Sequence, residues 1–175
     1  SSESRDWFYA ILDGVLRAGV AAVTVHGRTV RQRYEGTSSR EFLSEVKRHA
    51  GDAIVLGSGD LFTAADCLDM LQKTGVDGVA VARGAIGNPW IFRQIRALAA
   101  GLPCPQPSLS EQREVMLEHY RLAEETYDPR RTGPIMRKFG INYADQHPKA
   151  EEVRQAFIRV RSAEDWRRVL DAWYR

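Results

Sequence analysis

Three short segments of the sequence combine glycine with polar or charged side chains, and each follows an apolar run. The segments are His26-Gly27-Arg28, Ser58-Gly59-Asp60 and Arg83-Gly84. Arginine can donate two parallel hydrogen bonds to a phosphate. Gly84 and Gly87 would let the backbone approach a ligand closely. Pro89 suits the first turn of a helix, whose free N–H groups attract anions. These residue types together predict a phosphate site.

Strands and helices alternate in the first hundred residues and would bring the three segments together. Runs rich in valine predict parallel strands over residues 20–25, 53–56 and 76–81. Helices are predicted over 7–16, from a capping pair of Ser38 and Glu41 to about 49, over 64–73 after Thr63, and over 89–99. The carboxyl ends of parallel strands meet at one edge, where a phosphate often lies between the last two loops. Ser58-Gly59 and Ala82-Arg83 would be those loops.

An internal repeat supports a βα fold. Residues 19–25, GVAAVTV, match residues 75–81, GVDGVAV, and both runs follow an amphipathic helix. Three helix–strand–loop units predict a parallel sheet with right-handed crossovers, whereas a closed (β/α)8 barrel needs eight strands. We therefore expect either the last part of a TIM barrel that other chain material completes, or a small open α/β sheet. A start close to a helix, without an initiator Met, favours missing upstream sequence.

The composition changes after residue 100. Residues 101–109 form a proline-rich linker, and helices are predicted over 110–126, 133–144, 149–159 and 163–174. These helices predict a compact all-α bundle domain. It carries a basic cluster of Arg130, Arg131, Arg137 and Lys138, in which Asp128 is the nearby acid. Such a cluster is either a solvated face or a nucleic-acid surface to which Tyr143 could add stacking or a hydrogen bond.

Charge, cysteine content and hydrophobicity argue against several other classes of protein. A net charge of +2 on 175 residues does not by itself indicate a nucleic-acid binder. Cys67 and Cys104 are too few for a disulfide framework or a metal site, so both are interpreted as structural residues in a reducing compartment, the cytoplasm. The sequence contains no apolar run of roughly 20 residues, so we expect no membrane association.

Four motifs resemble the tRNA-dihydrouridine synthase family. They are V-T-V-H-G-R-T-x-x-Q-x-Y-x-G at 23–36, G-S-G-D at 57–60, A-R-G-A-I-G-N-P-W-I-F at 82–92 and R-K-F-G-I-N-Y at 137–143. The resemblance runs from about Arg17 to the C-terminus and matches only the back part of the family pattern. It implies the last three strands of an FMN-binding TIM barrel over residues 1–100, the linker over 101–109, and a helical tRNA-binding domain over 110–175.

The resemblance also implies site residues. The FMN phosphate would be held by Ser58, Gly59, Asp60, Ala82 and Arg83, and His26 would contact the flavin ring region. The RNA-facing side would carry Arg28, Gln32 and Tyr34, with Arg137 and Lys138 on tRNA phosphates. Ser58 stands where the family usually has Asn, and Ala82 where it has Gly. Ser58 keeps a hydrogen-bond donor, and Ala82 can still donate its backbone N–H.

The implied reaction is the NAD(P)H-driven reduction of the uridine C5–C6 double bond in tRNA. Hydride would pass to the flavin and then to C6, while a cysteine protonates C5. That cysteine and a lysine belong to an N-terminal half of the barrel that these residues lack, so no catalytic residue is assigned in this chain. We expect the chain alone to be inactive and to bind FMN weakly at best.

Two alternatives stay open at this level. One is another FMN-dependent TIM-barrel oxidoreductase that acts on a small molecule, such as a dihydroorotate- or dihydropyrimidine-type enzyme. The other is a non-catalytic RNA-binding fragment. The R-K-x-x-x-x-Y helical motif disfavours the first, and the upstream sequence would separate the second from the enzyme.

Overall fold

A computed structural model describes residues 2–32 and 35–175. Their packing gives two compact units, one comprising the described residues up to Arg83 and the other Gly84–Arg175. The first unit contains α1 (Ser2–Arg17), β1 (Val23–His26), α2 (Arg40–Ala50), β2 (Val55–Ser58), α3 (Ala64–Thr74) and β3 (Gly78–Val79). The second contains α4 (Ile91–Ala99), α5 (Leu109–Thr126), α6 (Pro129–Tyr143), α7 (Ala150–Ile158) and α8 (Ala163–Trp173). A 3-10 turn, Arg83–Ala85, follows β3.

The three strands form one parallel sheet in the order β1-β2-β3, which confirms the predicted βα organisation. β1 and β2 begin and end later than predicted, and β3 lies within its predicted range. β1 and β2 end at His26 and Ser58, which face each other in register. These polar residues stay in the ladder because the Gly27 N–H donates to the Ser58 carbonyl at 3.0 Å. β3 has only two residues, and just before it the Asp77 side chain accepts the Val55 N–H at 2.8 Å.

One face of the sheet packs against helices and the other does not. On the helix side Val25 and Val55 are buried, together with Leu43 and Val46 of α2. On the opposite face Thr24 and His26 are exposed. Successive side chains of a strand point to opposite faces, so this difference follows from the alternation along β1. The described part of the first unit is therefore a sheet covered on one side.

The helix caps correct one sequence prediction and confirm another. The N-cap of α2 is Ser39, whose side chain accepts the Phe42 N–H at 3.0 Å, and not Ser38. Ser38 is buried because its N–H donates to the Asp60 carboxylate at 2.8 Å. Thr63 caps α3 and forms a reciprocal capping box with Asp66.

The second unit has an aromatic core. Its fully or almost fully buried side chains include Trp166, Phe157 and Tyr174. α6 begins at Pro129, four residues before the predicted 133, because Asp128 caps it by accepting the Arg130 N–H. α4 begins at Ile91, so Pro89 lies in the preceding turn and not in the first helical turn.

The proline-rich segment packs onto this unit. Gln94 donates to the Pro105 carbonyl at 3.2 Å, and Gln112 donates to the Pro107 carbonyl at 3.1 Å. Within residues 2–32 and 35–175, no helix is both long and apolar enough to cross a membrane.

Candidate functional site

The ends of β1 and β2 bring two of the predicted segments together. His26 and Ser58 are register partners, and the His26 Nδ1 lies 3.3 Å from the Ser58 Oγ. The His26 side chain is exposed on the face of the sheet that helices do not cover. Both side chains therefore stand at the carboxyl edge of the sheet, where parallel βα folds bind their ligands.

The turn after β2 has a left-handed backbone. Gly59 has φ of +119°, and a Cβ on it would collide with Ser38 Oγ. Asp60 has φ of +51° and is the only non-glycine residue with positive φ in the described residues. Across that same part of the chain, the N–H groups of Gly59 and Asp60 donate to no protein acceptor. The turn thus offers two adjacent backbone donors.

Both oxygens of the Asp60 carboxylate accept hydrogen bonds from protein donors. Its Oδ1 accepts from Arg28 Nη1 at 2.7 Å, and its Oδ2 accepts the Ser38 N–H at 2.8 Å. Arg83 Nη2 lies 3.7 Å from the same Oδ1. A carboxylate cannot donate to a phosphate, so only the backbone of Asp60 can serve the predicted phosphate site.

The side chain of Arg28, in the loop after β1, is buried. Only 6% of its side chain is exposed, and besides Asp60 it donates to the Gly36 carbonyl. The guanidinium thereby ties Arg28 to Asp60 and to the Gly36 backbone. Arg28 had been assigned to the RNA-facing side, and the geometry favours an internal structural contact.

Gln32 and Tyr34 were also predicted to lie on the RNA-facing side. Gln32 is exposed, and its Oε1 accepts the Thr29 N–H at 2.9 Å, which forms a small turn. Tyr34 lies outside the described residues. The assignments of Arg28, Gln32 and Tyr34 to RNA stay predictions.

Arg83 is the most accessible cation of this edge. Its side chain is 46% exposed, and its guanidinium lies 4.9 Å from the centre of the Phe62 ring. Ala82 beside it is exposed, and its N–H makes no hydrogen bond to another described residue. Phe62 was not among the predicted site residues, although its position two residues after Asp60 was a signal for a stacking partner.

A cavity of about 530 Å³ lies beside β1. It has polar side chains from β1 and the following loop, and aromatic walls from α1 and α2. The lining includes His26, Arg28, Gln32, Thr24, Phe8 and Phe42. The cavity therefore brings two of the predicted RNA-facing residues and the predicted flavin contact to one place.

The structure gives Gly87 a different role from the predicted one. The sequence suggested that Gly84 and Gly87 let the backbone approach a ligand. Gly87 has φ of +79°, and its Cβ position lies against the backbone and side chain of Asn142 in α6. The small size of Gly87 is therefore needed for packing within the protein.

α6 carries the predicted phosphate contacts of the second unit. Arg137 is half-buried and Lys138 is exposed. Tyr143 is 4% exposed, its OH lies 3.2 Å from His119 Nδ1, and burial raises its pKa to about 12. The interpretation of Tyr143 as a stacking residue is wrong, because its ring is in the core against Trp90.

The cysteines are not placed for catalysis. Cys67 is buried in α3, and burial raises the pKa of its thiol to about 11, which disfavours the nucleophilic thiolate. Cys104 is a free, half-buried thiol in the proline-rich segment. Groups of three or more His, Cys, Asp or Glu that could hold a metal are absent from the described residues.

Comparison with known proteins identifies similar sequences. The family model described as dihydrouridine synthase (Dus) matches residues 2–173. A probable tRNA-dihydrouridine synthase of Mycobacterium tuberculosis is 34% identical over 154 residues, which cover 87% of this chain and 40% of the relative. One from Rickettsia bellii is 39% identical, covering 80% of this chain and 43% of the relative. The tRNA-dihydrouridine synthase B of Xanthomonas campestris is 35% identical, covering 83% and 44%.

This chain thus spans about two fifths of the length of these three relatives. The family match extends over both packing units, from α1 to α8. By this match, the chain belongs to the dihydrouridine synthase family.

Proposed function

We propose that this chain is the part of an FMN-dependent tRNA-dihydrouridine synthase that holds the flavin phosphate and binds tRNA. The observation that carries the proposal is the left-handed Gly59-Asp60 turn beside the partly exposed Arg83 at the carboxyl edge of a parallel sheet. Family membership and the names of the relatives support tRNA as the substrate.

The donors at this edge fit a phosphate. A phosphate accepts hydrogen bonds and carries negative charge, so it needs N–H donors and a cation. Gly59, Asp60 and Ala82 each have a backbone N–H that binds no described residue, and Arg83 supplies the cation. The Asp60 carboxylate is bonded to Arg28 and to the Ser38 N–H, which offsets its charge.

Once bound and reduced by NAD(P)H, FMN would supply the hydride that reduces the uridine C5–C6 double bond. The residues of this chain would bind and orient the flavin. Ser58 and His26 present a hydroxyl and an imidazole 3.3 Å apart at the strand ends, where they can hydrogen-bond to the rest of the ligand.

The remainder of a TIM barrel would complete this sheet. Its uncovered face, with Thr24 and His26 exposed, is what three strands of an eight-stranded barrel would present. The relatives are more than twice as long as the matched segment. We assign the proton-donating cysteine to that remainder, because Cys67 is buried in α3 and Cys104 lies in the proline-rich segment, so neither is at the strand ends. The chain alone is then inactive.

The proposed function divides the chain into three consecutive segments. We propose residues 1–100 as barrel, 101–109 as linker and 110–175 as the tRNA-binding bundle. In this scheme α4 is the helix that follows the last strand of the barrel. Arg137 and Lys138 of α6 contact tRNA phosphates.

Flavin titration tests the phosphate site. The chain should bind FMN more tightly than riboflavin, which lacks the phosphate, and Arg83→Ala should remove most of this difference. Arg48→Ala is the matched control, because Arg48 is an exposed arginine in the last turn of α2. Equal affinities of the unaltered chain for FMN and riboflavin would contradict the proposed phosphate site.

Binding of tRNA at several salt concentrations tests the second unit. The logarithm of the association constant should fall linearly with the logarithm of the salt concentration. Arg137→Ala and Lys138→Ala should each lower that slope by about 1. A chain that binds FMN through its phosphate and does not bind tRNA would instead support the small-molecule oxidoreductase.

A further inference from the structure

The turn between α7 and α8 lies directly against α6. A Cβ on Gly133 of α6 would collide with the carbonyl group of Arg161 and would lie 2.8 Å from the Ser162 backbone nitrogen. Gly133 and the Arg161 backbone are therefore in close contact, with no room for a methyl group. This contact fixes the α7–α8 turn beside one face of α6.

Two arginines of α6 flank that face. Arg130 precedes Gly133 by three residues and Arg137 follows it by four. With 3.6 residues per turn, both lie within about 60° of Gly133 around the helix axis, whereas Lys138 lies about 140° away. Arg161 is thus next to the face of Arg130 and Arg137, and Lys138 projects elsewhere. Arg130 and Arg161 are exposed and Arg137 is half-buried.

The described structure records no salt bridge for Arg130, Arg137 or Arg161. Neighbouring arginines of the same unit do form salt bridges: Arg168 Nη2 lies 3.0 Å from Glu164, and Arg154 pairs with Asp145. The three charges therefore lack a carboxylate partner within the part of the chain that the structure describes.

Two acids close in sequence to these arginines are already engaged. Asp128 caps α6 by accepting the Arg130 N–H at 2.8 Å. Asp165 accepts the Arg161 N–H at 3.0 Å and lies 3.4 Å from Arg168. Their charges orient the backbone and Arg168, which leaves the three guanidinium groups for an external anion.

We propose that Arg161 is a tRNA phosphate contact that works with Arg130 and Arg137 as one cationic surface. The inference rests on the proposed tRNA binding and extends it from α6 to a second structural element. Guanidinium groups spread over two elements fit successive phosphates of an RNA backbone better than a single small anion.

The experiment measures binding of unmodified tRNA to the full chain between about 50 and 200 mM salt. Arg161→Ala should weaken binding about 3- to 10-fold at the middle of this range and lower the salt slope by about 1. Arg161→Lys, which keeps the charge, should restore most of the slope. Arg168→Ala is the matched control, an exposed arginine of α8 that is paired with Glu164, and should leave the slope unchanged.

Each result has one interpretation. A slope for Arg161→Ala equal to that of the unaltered chain, while Arg137→Ala lowers it, would overturn the assignment of Arg161 and keep the proposed function. Equal effects of Arg161→Ala and Arg168→Ala would also overturn it, because binding would then follow net charge. Absence of salt-dependent tRNA binding by the unaltered chain would contradict the proposed function itself.

Discussion

The Asp60 carboxylate joins three parts of the first unit. It accepts from Arg28 at 2.7 Å and from the Ser38 N–H at 2.8 Å, and it lies 3.7 Å from Arg83. Its own contacts are therefore with protein groups, and its effect on a ligand acts through Arg28 and Arg83. We interpret Asp60 as a positioning residue whose backbone, and not its side chain, would serve the proposed phosphate site.

Replacing Asp60 by Asn should loosen the loop from residue 28 to Ser38. Arg28 is 6% exposed and would lose its ionic partner, which costs roughly 3 kcal/mol for a buried pair. We expect faster trypsin cleavage after Arg31, which lies in this loop. Asp69→Asn is the control, because Asp69 pairs at the surface with Lys73. Equal cleavage rates in the two variants would show that the Asp60 pair does not hold the loop.

The half-buried imidazole of His119 should make the second unit sensitive to acid. Burial lowers the pKa of His119 below its usual value of about 6.5, so the unfolded chain binds a proton more readily than the folded one. The free energy of unfolding should therefore decrease as the pH falls below about 6.5 and through the folded pKa. His119→Gln should reduce this decrease in urea titrations at pH 7 and pH 5. An unchanged pH dependence would exclude His119 as its source.

Residue types predicted the polar loops at the strand ends, and contacts between residues distant in sequence set the limit of prediction. Glycines and an arginine after strands are visible in the sequence. The sequence does not show that Asp60 reaches Arg28, which lies 32 positions earlier, or that Ser38 is held by this carboxylate and leaves the cap of α2 to Ser39. Such contacts depend on the sheet register, which places Gly27 against Ser58.

At the scale of elements, the segment before α4 is fixed against the end of α6. Gly87 has φ of +79° and its Cβ position is filled by the Asn142 backbone. Gly87→Ala should destabilise the second unit by more than about 2 kcal/mol, since it combines a left-handed backbone with a collision.

Gly101→Ala is the matched control for this contact. Gly101 has φ of +71° with open space around its Cβ position, so its replacement should cost only about 1 kcal/mol. Urea unfolding followed by tryptophan fluorescence measures both. If the two variants were equally stable, packing against Asn142 would contribute nothing.

Helices were easier to predict than strands. Six of the eight helices were predicted within about two residues of their observed bounds. α1 starts five residues earlier than predicted, and α6 starts four residues earlier because Asp128 and Pro129 form its N-terminal signal. β3 is two residues long, although 76–81 looked like a full strand. Apolar runs predict burial, but the length of a strand depends on the hydrogen bonds that its neighbours offer.

At the scale of the whole molecule, the two units differ in their cores. The second has a cluster of buried aromatic side chains, with Trp166 1% exposed. Both units leave large apolar side chains exposed, such as Trp7 at 67% and Ile54 at 49% in the first and Leu102 at 59% and Leu122 at 46% in the second. Hydrogen exchange in increasing urea should show amides of α2 and β2 opening at lower free energy than those of α5 and α8. Identical opening energies would indicate one cooperative unit.

The consecutive left-handed residues Gly59 and Asp60 also restrict which sequences can occupy the turn. In a saturation library, position 59 should accept glycine alone, because any side chain meets Ser38. Position 60 should still give folded protein with asparagine or glycine, since both tolerate a φ near +51°, but with lower stability because the Arg28 pair is lost. Selection for flavin binding should then narrow position 60 to aspartate, so the difference between the two selections separates what the backbone requires from what the charge requires.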